Sequence, residues 1–258
     1  MGLFEEVMMV NNFKNSGFIS GIVTGTVKEN YNKDYPGKVK VELFLGEQGK
    51  NVTGWISVMT PYAGADYGFY ALPEVGSEVV VAFNMGDRNR PVVIGNIWSD
   101  KNKQPKGSVT EKNMTKQWIT KGGNQFIIDD TQDKQKITLQ TKKGITFLLD
   151  EEKNTIILND KDKKNSVEIN SAKGTVTIKA DKKLVMNVGG SDAIVVDGTG
   201  KKINLKSATV DVSADKDFSA KGQNVKVSGT AVKVDGTSSL QLSSSGSTQV
   251  KGTIVKIN

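Results

Sequence analysis

From Val176 to its end the chain repeats one pattern about every eight residues: two apolar residues separated by a single polar one, then a polar turn. The first apolar positions of the pairs are Val176, Leu184, Ile194, Ile203, Val210, Phe218, Val225, Val232, Leu240 and Val255, with Thr248 in the one polar slot. Their partners two residues on are Ile178, Met186, Val196, Leu205, Val212, Val227, Val234, Leu242, Val250 and Ile257. A spacing of two puts both side chains on one face of a strand, and no helix satisfies it. Thr177, Asp211, Lys226, Lys233, Gln241, Gln249 and Lys256 stand between the partners and point to water.

Such a repeat cannot fold alone. Two buried side chains are worth ~3–6 kcal/mol at ~1.5–3 kcal/mol each, whereas ordering the backbone costs about 1–2 kcal/mol per residue over the whole repeat. A single-chain solenoid also needs larger inward residues than these to fill its interior. Three interwound chains, by contrast, fill a narrow triangular prism with pairs of Val, Ile and Leu. The expected needle is therefore a homotrimer, its shared core holding Val225, Val227, Val232, Val234, Leu240, Leu242, Val250, Val255 and Ile257. Only 36% of the chain is hydrophobic, too little for two ordinary cores, and the shortage is concentrated in this half.

Residues 17–98 read differently. Segments such as Ile22-Val23-Thr24-Gly25-Thr26-Val27, Lys38-Val39-Lys40-Val41-Glu42-Leu43 and Glu78-Val79-Val80-Val81-Ala82-Phe83 alternate with Gly- and Pro-marked turns. Five or six short strands with almost no helical signal predict a small closed barrel of the OB-fold kind. The predicted fold class is all-β: an N-terminal arm at 1–16, an OB-fold domain at 17–98, a polar linker at 99–117 and an intertwined trimeric triple-stranded β-helix at 118–258. Segments between 118 and 158, such as Gln125-Phe126-Ile127-Ile128-Asp129 and Ile145-Thr146-Phe147-Leu148-Leu149-Asp150, are longer and more apolar and predict a wider collar above the shaft. Stacking about 15–18 strand layers at ~4.7 Å gives a shaft on the order of 70–85 Å. That exceeds the ~40–45 Å of a bilayer.

The chemistry of catalysis is missing. With no Cys there is neither a disulfide nor a thiolate site, and with no His the commonest metal ligand and general base are both absent. No nucleophile elbow, phosphate loop or dinucleotide fingerprint occurs. Asp129, Asp130 and Asp133, and Asp150, Glu151 and Glu152, are two acidic groups that a carboxylate pair or a calcium site would use; turn positions, where Asp is common, account for both. The expectation is no catalytic residue, no metal and no cofactor. No apolar run approaches the roughly 20 residues of a membrane span, and Met1-Gly2-Leu3-Phe4-Glu5-Glu6 lacks a signal-peptide pattern, so a soluble protein is expected. Residues 1–100 hold 8 basic and 11 acidic residues, and residues 101–258 hold 27 and 17. An acidic barrel argues against nucleic acid, and the excess of Lys belongs to the needle.

The run Trp55-Ile56-Ser57-Val58, Thr60-Pro61-Tyr62-Ala63-Gly64, Leu72-Pro73-Glu74-Val75-Gly76-Ser77-Glu78 and Gly86-Asp87-Arg88-Asn89-Arg90-Pro91-Val92-Val93-Ile94-Gly95 resembles the OB-fold domain of contractile-tail baseplate spikes, shared by tailocin spikes and type VI secretion spike proteins (VgrG). Gly21-Ile22-Val23 and Pro36-Gly37-Lys38-Val39-Lys40-Val41 resemble the family's first two strands. Gly76 and Gly86 also have a structural place, making the turns on either side of one strand. The resemblance implies a membrane-puncturing spike at the tip of a phage tail or phage-tail-like particle, assembled in the bacterial cytoplasm. Its alternatives are a type VI spike or a surface-binding trimeric fibre, though the last 40 residues carry no aromatic for sugar binding. It further implies a separate hub protein at the N-terminal end, since about 16 residues precede the barrel. No lysozyme domain stands between barrel and needle. Without His the iron-binding tip of some phage spikes is excluded, so either the needle ends bluntly or a PAAR-type tip protein caps it.

Overall fold

Valine placed at every second position builds the first domain. In the computed structural model, which describes residues 18–257, five strands close into a barrel: β1 (Ile22–Glu29), β2 (Lys38–Leu43), β3 (Ile56–Val58), β6 (Glu78–Phe83) and β7 (Pro91–Asn96). The expected N-terminal arm, residues 1–16, lies outside the described residues. Around the barrel the order is β1-β2-β3-β7-β6, antiparallel throughout except for the parallel pair β3 and β7, which is the OB arrangement. Val27, Val39, Val41, Val79, Val81 and Val93 are fully buried inside, joined by Ile56 and Phe83, while Lys38 and Lys40 alternate outward. Short β-branched side chains suit this position because a five-stranded barrel leaves room for little more. Register shifts at Val27/Glu29 and at Val80/Val81 mark the bulges that curve the strands into closure.

Two glycines are required by geometry. At Gly25 a β-carbon would lie 2.5 Å from the Glu42 carbonyl oxygen and 2.7 Å from Val41 Cγ1, so β1 and β2 approach each other only because nothing is there. Gly86, at φ 79° and beneath the Phe18 ring, turns the chain out of β6 and lets its carbonyl accept the Ile19 amide at 2.9 Å. A small hairpin, β4 (Ala63–Gly64) and β5 (Tyr67–Gly68), projects between β3 and β6.

Beyond the barrel the strands change character. β8 (Thr115–Ile119), β9 (Gln125–Asp129), β10 (Lys136–Gln140), β11 (Thr146–Asp150), β12 (Thr155–Asn159), β13 (Ser166–Asn170) and β14 (Thr175–Lys179) form one sheet in which each strand pairs antiparallel with its neighbour in sequence. The pairing starts at Thr115, three positions before the change of pattern at Trp118. Every connection holds one residue in the left-handed region: Gly123, Asp133, Gly144, Asn154, Lys163 and Gly174. Gly, Asn and Asp tolerate that conformation, and one such residue per turn keeps the strands in register.

A second, three-stranded sheet follows, of β15 (Lys183–Val188), β16 (Ser191–Asp197) and β17 (Lys202–Leu205), with Gly189 and Gly190 both at positive φ between the first two. Two consecutive left-handed residues are the tight hairpin turn that matches strand twist. The first compact unit ends at Asn204 and the second runs from Leu205. Within the second unit, residues 206–257 form no strand and no backbone–backbone hydrogen bond, and all of them are exposed. Among the described residues the only α- or 3-10-type element is a single turn at Asn84–Gly86, and no helix is long and apolar enough to cross a membrane.

Candidate functional site

From β9 to β14 each five-residue strand follows one rule, polar residues at its ends and apolar residues at its second and fourth positions; β8 keeps only the fourth, Trp118, with Lys116 at its second position and Ile119 at its end. Antiparallel pairing lines these up across the sheet. Trp118, Phe126, Leu139, Phe147, Leu158, Val167 and Ile178 form one ladder, each opposite the next. Ile128, Ile137, Leu149, Ile156, Ile169 and Val176 form a second beside it. Both ladders share one face because second and fourth positions point the same way.

That face is uncovered. Phe147 is 37% exposed, Trp118 52% and Val176 68%. Among the described residues every buried hydrophobic side chain belongs to the barrel, so the ladders have no counterpart within the chain. A contiguous apolar face of this extent marks an interaction surface. The inward pairs expected at Val176 and Ile178 lie on this face. In the second sheet the expected pairs also meet, Leu184 opposite Val196 and Met186 opposite Ile194.

Among the described residues, the nine expected to form the needle core are all exposed in the single chain. Val225, Val227, Val232, Val234, Leu240, Leu242, Val250, Val255 and Ile257 range from 51% to 92% exposed. Their backbone amides and carbonyls lack the strand partners that an apolar β segment requires.

The opposite face of the large sheet is mixed: Ile127, Leu148 and Ile157 stand half-buried at strand centres, and charged side chains near the strand ends are cross-linked. Lys136 reaches Asp150 at 3.4 Å and Glu152 at 3.2 Å, and Lys134 reaches Glu152 at 3.2 Å. The hydrogen bond to Glu152 above all holds the Lys136 ammonium above its usual range, and the bonds from Lys134 and Lys136 hold Glu152 below its own. Asp129 accepts from the Thr131 hydroxyl at 2.6 Å and the Thr131 amide at 3.0 Å, which lowers its carboxyl in that order of importance. Asp150 accepts the Lys153 amide at 3.1 Å, and Asp133 occupies a left-handed turn position. Of the two acidic groups singled out from the sequence, Asp129 and Asp150 thus cap turns, and Asp150 and Glu152 pair with lysines. Among the described residues no group of three or more acidic side chains is arranged to hold a metal ion.

On the barrel, Tyr62, Tyr67, Phe69 and Tyr70 are exposed around the β4–β5 hairpin. Phe69 packs against Trp118, the first rung of the ladder, with ring centroids 5.6 Å apart. The sequence alone does not show that Phe69 touches the start of the sheet. On the barrel's outer surface Tyr35 and Trp55 stack within 14° of parallel, and Lys40 lies 5.0 Å over the indole. Glu42 accepts from Lys28 at 3.0 Å and from the Gly49 amide at 2.5 Å, and the Lys28 bond is the larger cause of its lowered pKa.

A family model described as the type VI secretion system/phage-baseplate injector OB domain matches residues 23–98, which is the barrel. The chain is 37% identical over 92 residues to the type VI secretion system spike protein VgrG5 of Pseudomonas aeruginosa, covering 34% of this chain and 12% of that protein. It is 31% identical over 133 residues to VgrG2a of the same organism, covering 49% of this chain and 16% of that one. It is 30% identical over 107 residues to the actin cross-linking toxin VgrG1 of Vibrio cholerae, covering 40% and 10%. The chain spans less than a fifth of the length of these relatives. The barrel is similar to the injector OB domain, and the chain is similar to VgrG-type spikes.

Proposed function

We propose that the chain is the structural puncturing spike of a contractile, phage-tail-like injection system, acting as a homotrimer at the tip of the tube. The uncovered double ladder carries this reading, together with a C-terminal segment whose apolar pairs and backbone groups lack partners within the chain. Three copies satisfy both: the sheets face one another through their ladders, and the segments from Leu205 onward supply one another's strands. Sheath contraction drives such a needle forward, and its small cross-section concentrates the force on the target envelope. Hydrogen bonds running along the needle bear compression while leaving few strand edges open. Catalysis has no part in this role, and neither does a cofactor. A separate hub at the N-terminal end and a PAAR-type cap at the other complete the assembly.

The chain has no cysteine, which makes the test direct. Val234→Cys places a thiol at the proposed axis and Lys233→Cys places one outside. Oxidation is expected to join chains through the first and not the second. Equal cross-linking of both rejects the shared core. For the function itself, particles carrying Leu240→Asp and Leu242→Asp are expected to contract normally yet release no dye from target cells. A type VI setting is the second reading, favoured by the spike proteins to which the chain is similar. Sheath, tube and wedge genes beside its own distinguish the two.

A further inference from the structure

A cleft of about 360 Å³ opens at the end of the barrel where Ile19 enters it, formed by parts of the chain far apart in sequence. Leu43, Ile19 and Phe83 make an apolar floor, the Trp55 indole forms one wall, and Lys50 and Arg88 stand on the rim. Its volume falls in the range of ordinary ligand sites.

The charge of this cleft runs against its surroundings. Residues 1–100 are net acidic, with 8 basic and 11 acidic side chains, yet two cations and no carboxylate line the cleft. The chain uses arginine at positions 88 and 90 alone, against lysine at every other basic position. Arg88 has no ion pair among the described residues, and Lys50 has one solvent-exposed partner, Glu47 at 2.6 Å. An exposed pair of that kind is worth little and gives way readily. Arginine's fixed fork suits a carboxylate in two-point contact, which a lysine does not reproduce.

The frame around it is held in advance. The Asp87 carboxylate accepts the Asn89 amide at 2.8 Å, the Asp87 carbonyl accepts the Arg90 amide at 3.0 Å, and the Thr53 hydroxyl accepts the Val41 amide at 3.0 Å. Tyr35 and Lys40 fix the indole from the outer surface. A mixed cleft that sets Ile19, Leu43 and Phe83 beside Trp55 and Arg88, with Asn51, Thr53 and Asn89 among its polar lining, has the composition of an interface hot spot.

We propose that this cleft docks an extended acidic peptide segment, with one aliphatic or aromatic anchor on the floor and a carboxylate on Arg88, supplied by the protein that holds the N-terminal end of the barrel. The inference rests on the reading of the chain as a spike with a separate hub. Nucleic acid is the poorer occupant, since two cations in a net-acidic domain do not make a groove that follows a phosphate backbone.

The test measures fluorescence anisotropy of the full chain with a short labelled peptide bearing two glutamates beside a Leu-Phe anchor. Its glutamine counterpart and an oligothymidylate are run in parallel. The glutamate peptide is expected to bind at least about tenfold more tightly than the glutamine one, the scale of one charged hydrogen-bonded pair. Arg88→Gln is expected to lose about that factor, and Arg88→Lys part of it. Arg90→Gln, outside the cleft, is expected to change nothing. Equal binding of the two peptides, equal losses at Arg88 and Arg90, or capture of the oligothymidylate in place of the peptide overturns the proposal. Light scattering on the same sample separates the two readings: a trimer that ignores the acidic peptide sinks the cleft alone, and a monomer that binds it sinks the spike alone.

Discussion

Replacing Phe147 with serine removes one rung from the middle of the ladder on β11. In the single chain the ring is 37% exposed, so about a third of its burial is left for a contact between chains. Burying a whole Phe side chain is worth ~1.5–3 kcal/mol, which puts that third at about 0.5–1 kcal/mol. Three copies lose it together, about 1.5–3 kcal/mol in all, which weakens trimer association roughly tenfold to a hundredfold. Dilution followed by mass photometry reads the association directly. Tyr31→Ser is the matched control, since that ring is 83% exposed on the barrel and has no place in the ladder. The reasoning is refuted if Phe147→Ser assembles over the same concentrations as the unaltered chain, or loosens no more than Tyr31→Ser.

Gly25→Ala forces a methyl against the Glu42 carbonyl and is expected to cost the barrel about 1–3 kcal/mol, lowering its melting temperature by at least about 5 °C; an unchanged calorimetric transition contradicts the close approach. The Glu42 carboxyl is held low in the folded barrel, so its contribution is present at neutral pH and is lost as acidification passes its depressed folded value. Glu42→Gln should accordingly flatten the acid limb of barrel stability, and a chain that keeps the same acid dependence without Glu42 counts against the Lys28 pairing. A fragment starting at Leu205 should give the circular dichroism of a coil at low concentration, because its backbone has no partners in one chain; a β spectrum from a monomer would show that it folds alone. Changing Lys226, Lys233 and Lys256 to Gln is expected to weaken binding to anionic vesicles at least tenfold, at ~1 kcal/mol per lysine near a charged surface. Unchanged vesicle binding would assign those lysines to solubility alone.

The barrel was legible because its signal is local and redundant. Alternating valines at 39 and 41, and at 79 and 81, state both strand and inward face, and the turn glycines at 76 and 86 take the left-handed conformation in the structure. The eight-residue repeat was legible as periodicity, and its residues are where an unshared apolar stripe would lie. What the repeat did not reveal was partner choice. Pairing Phe126 with Leu139 and Leu139 with Phe147 depends on register, and five-residue strands joined by polar turns announce register only through single residues such as Asp133 and Asn154. For the same reason the strands up to Leu205 bond within one chain, a division that apolar spacing alone does not draw. The cleft was invisible in the sequence, since Ile19, Lys50, Trp55 and Arg88 meet only after the barrel closes.

The central claim is that the uncovered ladders and the unpaired C-terminal segment are covered by two further copies of the same chain. Light scattering of the intact protein at micromolar concentration tests it most directly. A mass of three chains, unchanged on further dilution, is the predicted result, and a stable single chain would contradict it.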